Sequence, residues 1–400
     1  MNTGDVAFMV LCTAMVCLMT PGLAFFYGGL TRKNNVLSLM MKSFISMGVV
    51  TIMWIFGGFG LCFGRDLWGI IGNPLDYFAL SHVTFEPNAL HGATIPFLMF
   101  FAFQLMFCVI TVPLMTGAFS ERMSMKAYLF FLVAWTLLVY YPVCHWVWGG
   151  GFLQKMGFID FAGGAVIHTT AGFGALICVF VLGKRKWQVT KKNSRPNNLM
   201  AAAIGTGLLW FGWFGFNSGG VLAANQLAAT TFTNTLIALA VAMVTWCIIA
   251  HFRNHLVTFV DVLTGSVAGL ATITPCSGYV KPESAIIIGV VAAIICQAAV
   301  SLRQKENIDD ALDVWGVHGV GGFTGILLVG LLANKAVNGV QGGGHQFLIQ
   351  ALGIVIVTLF ACFVTYVILK ILMHAMPVEP NEKEQKQLDL LSMNEVAYNE

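Results

Sequence analysis

The 400-residue chain is 58% hydrophobic and only 10% charged, and its mean hydropathy is +0.80. A soluble domain is about a quarter charged, so this composition excludes one and indicates a protein surrounded largely by a lipid bilayer. The net charge of +3 is small and dispersed, which argues against nucleic acid as a partner. Ten cysteines without a C-x-x-C pair predict buried thiols rather than a zinc site or a disulfide framework.

Apolar runs of roughly 20 residues predict an all-α polytopic membrane protein with eleven transmembrane helices. The first run lacks the basic region of a cleaved signal peptide, so we interpret it as the first membrane helix. The predicted spans centre on residues 5–30, 36–63, 94–119, 127–147, 161–183, 199–218, 227–251, 257–276, 284–302, 314–333 and 347–373. They form a membrane domain over 1–376. The polar segment 377–400 is predicted to be a cytoplasmic tail, either ordered against the protein or a partner, or simply solvated.

Positive charges orient the predicted bundle. With the amino terminus outside and the carboxyl terminus inside, only four of the 21 Lys and Arg residues lie in outer loops, and the others lie in or near cytoplasmic ones. Cytoplasmic loops are enriched in Lys and Arg, so we predict this orientation. The four outer residues are Arg65, Lys155, Lys281 and Lys335.

Two copies of the pattern D-x7-H, each followed by a glycine-rich helix, indicate an internal repeat. Asp160 lies eight residues before His168 in the fifth span, and Asp310 lies eight before His318 in the tenth. Five spans separate the copies, so they cross the membrane in opposite senses, as in transporters with inverted repeats and midplane sites. The repeats are predicted over about 5–183 and 199–333, with an extra helix over 347–373.

Helix rise predicts that both histidines lie near the bilayer centre. Eight helical residues at about 1.5 Å each span roughly 12 Å, which is close to half of a hydrocarbon core of about 30 Å. A lone membrane histidine often only hydrogen-bonds a neighbouring helix, but two at matched depth favour a functional pair. Bis-histidine haem ligation also uses paired helical imidazoles, so a haem-bearing redox protein is an alternative.

Aromatic residues cluster near the predicted outer interface. Phe103 and Phe107 lie one turn apart in the third span, Trp148 follows the fourth, and Trp213 and Phe216 lie near the outer end of the sixth. Interfacial aromatic belts are common in membrane proteins, yet such rings also bind a partly dehydrated cation, at about 0.5–2 kcal/mol per ring. No acidic ring lies along the predicted path, which favours the aromatic cation site over a metal-ion filter.

Three aspartates mark the ends of the histidine spans. Asp160 is predicted to cap the fifth span by accepting bonds from free backbone amides, and direct contact with a cation is the alternative. Asp310 and Asp313 are the corresponding cap and salt-bridge residues at the cytoplasmic end of the tenth span.

Six stretches carry a family resemblance that extends over essentially the whole chain. They are "TPGLAFFYGGLTRKNNVL", "YYPVCHWVWGGGFL", "DFAGGAVIHTTAG", "WFGWFGFNSGG", "ATITPCSGYV" and "DDALDVWGVHGVGG". In these stretches the chain resembles the ammonium transporters, the Amt/Mep/Rhesus family. The resemblance implies a homotrimer in the cell membrane, with eleven helices and a separate pore in each subunit, no enzyme activity and no cofactor.

The resemblance also implies a role for each residue of the site. Phe103, Phe107 and Trp148 would recruit ammonium, with Asp160 organising that site from beneath. Phe107 and Phe216 would stack as a gate. His168 and His318 would line the hydrophobic pore as a hydrogen-bonded pair, with Trp213 packed nearby. Ammonium would lose a proton at the aromatic site, ammonia would cross, and the titratable imidazoles would carry the proton separately.

Two departures from the family pattern carry expectations of their own. Gly220 occupies the position of the family's serine in "WFGFNxGS", which accepts a hydrogen bond from recruited ammonium. This loss keeps a second function open, that of an ammonium sensor with little or no flux. The tail reads "QLDLLSMNEVAY" where the family commonly has "GLDxxxHGExAY", which puts regulation by a PII-type signalling protein at the cytoplasmic face in doubt.

Overall fold

The computed structural model describes residues 1–186 and 196–398, which are mostly helical. Ten helical segments within these residues are long and apolar enough to cross a membrane. With one shorter apolar helix they are numbered in chain order as α1 Thr3–Leu30, α2 Lys33–Phe63, α3 Phe97–Met115, α4 Met125–Lys155, α5 Gly164–Leu182, α6 Leu199–Val221, α7 Gln226–Asn254, α8 Phe259–Ile273, α9 Pro282–Lys305, α10 Trp315–Leu332 and α11 Gly344–Ala375.

The shorter helix, α8, occupies the eighth predicted span and has 15 residues. It ends at Ile273, and Pro275 lacks the amide hydrogen that would bond the carbonyl of Ala271 in a continued helix. Turns follow over residues 274–279. The described part of the chain therefore holds ten helices of spanning length, where the sequence predicts eleven.

Several membrane helices contain a π-helical turn, in which the backbone bonds skip one residue further than in an α-helix. Such turns are rare and often occur at functional sites. In the described residues they lie at Trp54–Gly58, Thr136–Tyr140, Gly164–Thr169 and Trp315–Gly319. The last two contain His168 and His318, so both predicted histidines lie on irregular turns at the start of their helices.

Helix packing brings the two predicted repeats together. The most extensive helix pair is α1 with α6, the first helices of the two predicted repeats. The body of α5 contacts the π turn of α10, and the body of α10 contacts the π turn of α5. This reciprocal contact positions the two histidine helices against each other.

One face of the molecule carries residues 64–96, between α2 and α3, and is called the outer face below. It holds a small antiparallel hairpin of β1 (Asp66–Leu67) and β2 (Ile71–Gly72). The Asp66 carboxylate lies 2.9 Å from His145 Nε2 and 2.5 Å from Lys155 Nζ, both on α4. These hydrogen bonds lower the pKa of Asp66 to about 2, so the ionised carboxylate ties the hairpin to α4.

The tail is ordered against the opposite face, called the inner face below. Its two short helices are α12 (Glu382–Lys386) and α13 (Leu388–Met393). The two carboxylate oxygens of Asp389 accept bonds from the backbone amides of Leu37 and Ser38, at 2.9 and 2.8 Å. The tail thus caps the start of α2, which agrees with order against the protein and not with a solvated segment.

Candidate functional site

A buried aspartate caps each histidine helix. Each carboxylate oxygen of Asp160 accepts two backbone amides, at 2.7–3.2 Å, and the four donors are Gly163, Gly164, Ala165 and Val166. Asp310 accepts the amides of Val314 and Trp315, at 3.1 and 2.8 Å. Both carboxylates thus occupy the capping positions expected from the sequence. Because both oxygens of Asp160 are engaged and its side chain is buried, capping is the role that its contacts support.

The capping geometry corrects the calculation of histidine depth. Helical backbone begins at Gly164 and at Val314, four residues after each aspartate. The three residues after each aspartate are not helical, and the aspartate oxygens instead accept the amides of the first helical residues, Gly164 to Val166 and Val314 to Trp315, together with that of Gly163. The assumption of eight helical residues before each histidine is therefore wrong.

The two histidines contact each other directly. Their Nδ1 atoms are 3.4 Å apart, and the ring centroids are 5.3 Å apart with the planes 23° from parallel. In such a contact one Nδ1 carries a hydrogen and the other accepts it. The Nε2 atom of His168 is buried and has no partner in the described residues. Trp213 stacks on His168 at 5.4 Å and donates its own indole hydrogen to Thr274 Oγ1 at 2.9 Å.

Glycines let the histidine helices approach backbone to backbone. A Cβ atom on Gly172 would lie 2.1 Å from the Gly319 Cα, and one on Gly322 would lie 2.7 Å from the His168 Cβ. Gly172 and Gly322 each follow their own histidine by four residues. The sequence analysis missed this H-x3-G spacing, which is the signal for the close crossing.

The predicted outer aromatic residues form one connected cluster. Phe107 contacts Phe103, Trp148 and Phe216, with ring centroids 4.8, 6.0 and 4.3 Å apart. The Trp148 indole donates to the backbone carbonyl of Asp160 at 2.8 Å. Phe216 lies 6.1 Å from the His168 ring. The cluster therefore leads from Trp148, through the Phe107–Phe216 pair, to the histidines.

Beneath the Phe107–Phe216 pair the path is narrow and apolar. A cavity of about 10 Å³ lies beside His168, His318, Trp213 and Phe216, and its other walls are the aliphatic side chains of Met19, Leu23, Ile110, Leu114, Ile167 and Leu209. A single water needs about 10–15 Å³. This constriction is therefore at the lower limit for one small molecule. Among the described residues that line it, only the two imidazoles offer side-chain hydrogen bonds, since the Trp213 indole is already bonded to Thr274.

The imidazole pair does not fit haem ligation. Bis-histidine ligation places an iron and its macrocycle between the two rings, whereas these rings are in contact and the space beside them is about 10 Å³. Within the described residues no group of three or more His, Cys, Asp or Glu side chains is arranged to hold a metal ion. The haem alternative is therefore not supported by the geometry.

Gly220 lies beside Phe161, a residue that the sequence analysis did not select, and next to Gly219, where a Cβ would meet the Phe103 ring of the outer cluster. A Cβ on Gly220 would lie 3.2 Å from the Phe161 ring and 3.4 Å from the Phe161 carbonyl oxygen. The Phe161 ring also contacts Tyr279 edge-on at 5.7 Å. The hydroxyl of Ser218 is buried without a hydrogen-bond partner among the described residues.

Towards the inner face, a second cavity of about 140 Å³ reaches His318. Its walls include Phe26 and Tyr27 from α1 and Asp313 from the segment before α10. Asp313 pairs with Arg303 at the end of α9, as the sequence predicts. The path through the chain thus has an aromatic outer end, a narrow apolar centre with two imidazoles, and an inner cavity lined by the paired carboxylate of Asp313.

Comparison with known proteins decides the family. The model described as the Ammonium Transporter Family matches residues 7–398. The chain belongs to the ammonium transporter family. An ammonium transporter of Bacillus subtilis is 42% identical over 406 residues, covering 100% of this chain and 99% of that protein. Together with the ten apolar helices, this membership makes the chain a multi-pass membrane protein.

Solved structures of the ammonium transporter family share the fold. The crystal structure of Saccharomyces cerevisiae Mep2 superposes with a TM-score of 0.89 at 33% identity, covering 96% of this chain and 88% of that one. A structure titled Sensor Amt Protein superposes with a TM-score of 0.90 at 28% identity, covering 98% of each chain. The family fold therefore occurs in proteins named as transporters and in one named as a sensor.

Proposed function

We propose that this protein is an ammonium transporter of the cell membrane that recruits ammonium at the outer aromatic cluster, deprotonates it and conducts ammonia. The observation that carries the proposal is the direct contact of His168 and His318 in a narrow apolar constriction beneath the Phe107–Phe216 pair. We infer that ammonia passes between these groups as a neutral molecule.

Recruitment rests on the rings of Phe103, Phe107 and Trp148. A cation held against several aromatic faces gains about 0.5–2 kcal/mol from each. Trp148 is held by its bond to the Asp160 carbonyl, and Asp160 is held by four backbone amides. Asp160 therefore acts as a positioning residue, which keeps the aromatic cluster in place without contacting the ion.

Deprotonation follows from the cost of entering the constriction. An isolated ammonium ion in an apolar medium costs on the order of tens of kcal/mol by the Born treatment, and neutral ammonia avoids that cost. Potassium matches ammonium in charge and approximate size but has no proton to lose. Passage beyond Phe107 and Phe216 is thereby restricted to a molecule that sheds its charge.

The histidine pair supplies hydrogen bonds to ammonia and a route for its proton. Imidazole is both donor and acceptor when neutral, and it titrates near neutral pH in water. The unpartnered Nε2 of His168 is free to bond ammonia in the constriction. A proton handed along the His168–His318 contact would make transport electrogenic.

The proposed membrane arrangement keeps the eleven-helix plan of the sequence analysis. In it α8 and the turns after it form the eighth crossing, the amino terminus lies outside, and the repeats 5–183 and 199–333 are inverted copies. The paired caps of Asp160 and Asp310 and the reciprocal contact of α5 with α10 support the inverted repeat. We further propose that the protein is a homotrimer. A PII-type partner at the inner face is also proposed, although the departure of the tail from the family pattern argues against it.

A second candidate function is ammonium sensing with little or no flux. Gly220 removes the hydroxyl that the family uses to hold ammonium, and the structure titled Sensor Amt Protein shares the fold over 98% of this chain. Measurements of flux, rather than of binding, separate the two functions.

The decisive experiment is the transient current on an ammonium jump over proteoliposomes on a solid support. We expect the wild type to give a current that saturates with ammonium and is absent with potassium. The double variant His168→Ala, His318→Ala should lose the current. The matched control His345→Ala, His374→Ala removes two exposed imidazoles and should behave as the wild type.

Silence in a folded wild-type protein that still binds ammonium would reject electrogenic transport. A pH-sensitive dye inside the same liposomes then decides between the remaining functions. Interior alkalinisation identifies electroneutral passage of ammonia, and an unchanged interior identifies a sensor.

A further inference from the structure

The cavity at the inner end of the path brings an unsatisfied carboxylate to the same space as one imidazole of the pair. It has a volume of about 140 Å³ and is lined by both Asp313 and His318. Tyr27 also lines it, but the Tyr27 hydroxyl donates to the Leu114 carbonyl at 2.9 Å. Asp313 therefore supplies the carboxylate that faces a molecule leaving the constriction.

The two aspartates before α10 differ in their contacts. Asp310 is fully buried, and both of its oxygens accept backbone amides. The Oδ1 atom of Asp313 accepts a hydrogen bond from Arg303, and no described residue donates to its Oδ2 atom. Its side chain is 24% exposed. Asp310 is thus committed to holding the helix, whereas Asp313 keeps one oxygen available to the cavity.

The surroundings of Asp313 suit a group that exchanges protons. Burial raises its pKa to about 6, the Arg303 charge opposes that rise, and the charge of Asp310 adds to it. Arg122 lies 3.7 Å from Asp309, and its charge lowers the pKa of Asp310. His318 and Tyr27 are the other titratable side chains among the described residues that line this cavity.

We propose that Asp313 is the proton-exchange group at the inner mouth, which returns a proton to ammonia as it leaves the constriction. The inference rests on the proposed transport function. The ammonia lone pair takes the hydrogen from the Asp313 carboxyl group, the O–H bond breaks, and ammonium and a carboxylate result. Arg303 neutralises the carboxylate while ammonium departs. The proton that travelled along the histidine pair then restores the acid, so protons and charge balance over the cycle.

The test records ammonium-jump currents in proteoliposomes whose interior is buffered at different pH values. Inward transport needs the protonated acid, so the wild-type current should fall as interior pH rises through the pKa of Asp313. Asp313→Asn should reduce the current at least tenfold at interior pH 7 and remove this dependence, and Asp313→Glu should retain it. Arg303→Gln removes the positive charge that opposes protonation of Asp313. The midpoint of the current's dependence on interior pH should therefore move to higher pH in this variant.

The control is Glu306→Gln, which neutralises an exposed carboxylate on the same inner loop and should leave the profile unchanged. An Asp313→Asn protein with wild-type current and pH profile overturns the proposal and leaves the proposed function standing. Should Asp313→Asn fail to fold, an unshifted midpoint in Arg303→Gln overturns it instead. A wild type without any ammonium current overturns the proposed transport and this inference together.

Discussion

Gly172 on one histidine helix lies so close to Gly319 on the other that a Cβ on Gly172 would come within 2.1 Å of both the amide nitrogen and the Cα of Gly319. Real Cβ atoms do not approach other atoms so closely, so the two backbones meet only because neither has a side chain there. The same crossing brings the imidazoles of His168 and His318 into contact. Glycine at position 172 is therefore required for the contact between the two imidazoles.

Replacing Gly172 by alanine should force the two histidine helices apart. Overpacking a well-packed core typically costs about 1–3 kcal/mol, and here the obstacle is backbone, which has little room to move. We expect a lower thermal unfolding temperature in detergent and a reduced ammonium current. Gly48→Ala on α2 is the control, because its Cβ would meet no described atom within 4 Å and alanine favours a helix. A Gly172→Ala protein as stable and active as the wild type would contradict the crossing.

Asp160 variants should affect stability more than ammonium affinity. Asparagine keeps one of the two acceptor oxygens of Asp160, and alanine keeps neither. The free energy of unfolding should therefore decrease from the wild type to Asp160→Asn and further to Asp160→Ala. Each lost bond to a charged group costs about 1.5–3 kcal/mol. In folded Asp160→Asn protein, we expect the ammonium concentration at half-maximal current to change by less than about tenfold. A larger loss of affinity with unchanged stability would instead indicate direct contact between the carboxylate and the cation.

Gly220→Ser should strengthen recruitment of ammonium. The new hydroxyl adds an acceptor beside the aromatic cluster, and one hydrogen bond of about 0.5–1.5 kcal/mol corresponds to about two- to tenfold in apparent affinity. Gly220→Ala is the control, since it adds the same Cβ at 3.2 Å from the Phe161 ring without the acceptor. Titration of the current with ammonium separates the two variants. A serine variant that binds no more tightly than the alanine variant would refute the expectation.

Asp389→Ala should release the tail from the inner face. The amides of Leu37 and Ser38 lose their acceptor, and the loss of such a cap costs about 0.5–2 kcal/mol. We expect limited proteolysis to remove the tail of this variant faster than that of the wild type. Glu395→Ala removes an exposed acidic side chain on the same tail and should be cut at the wild-type rate. Equal rates for all three proteins would show that the contact does not hold the tail.

Much of the fold was predictable because apolar length alone marks a membrane helix. The predicted spans agree with the helices to within a few residues at most ends. The exceptions are local chemical effects that hydropathy does not measure. Pro275 has no amide hydrogen with which to extend α8, and the Asp160 carboxylate accepts the amides of Gly163 and of the first helical residue, Gly164, so that α5 begins at Gly164 rather than at residue 161.

The site was predictable as a set of residues but not as a geometry. The repeated D-x7-H pattern selected Asp160, His168, Asp310 and His318, and the structure brings the two histidines into contact. The H-x3-G spacing marks a glycine four residues after each histidine, but the segment that packs against Gly172 lies about 150 residues away in the chain, so the crossing itself was not predicted. Asp313 was selected only as a salt-bridge residue, because its share in the inner cavity depends on packing against α1.

The contact between Asp389 and α2 also bears on biosynthesis. The amide of Leu37 bonds an acceptor that is made 352 residues later, which at about 5–20 residues per second is a delay of roughly 18–70 s. Throughout that interval the nascent α2 has its first amides exposed at the membrane surface. Completion of this contact on the inner face therefore waits until the last membrane helix has left the ribosome.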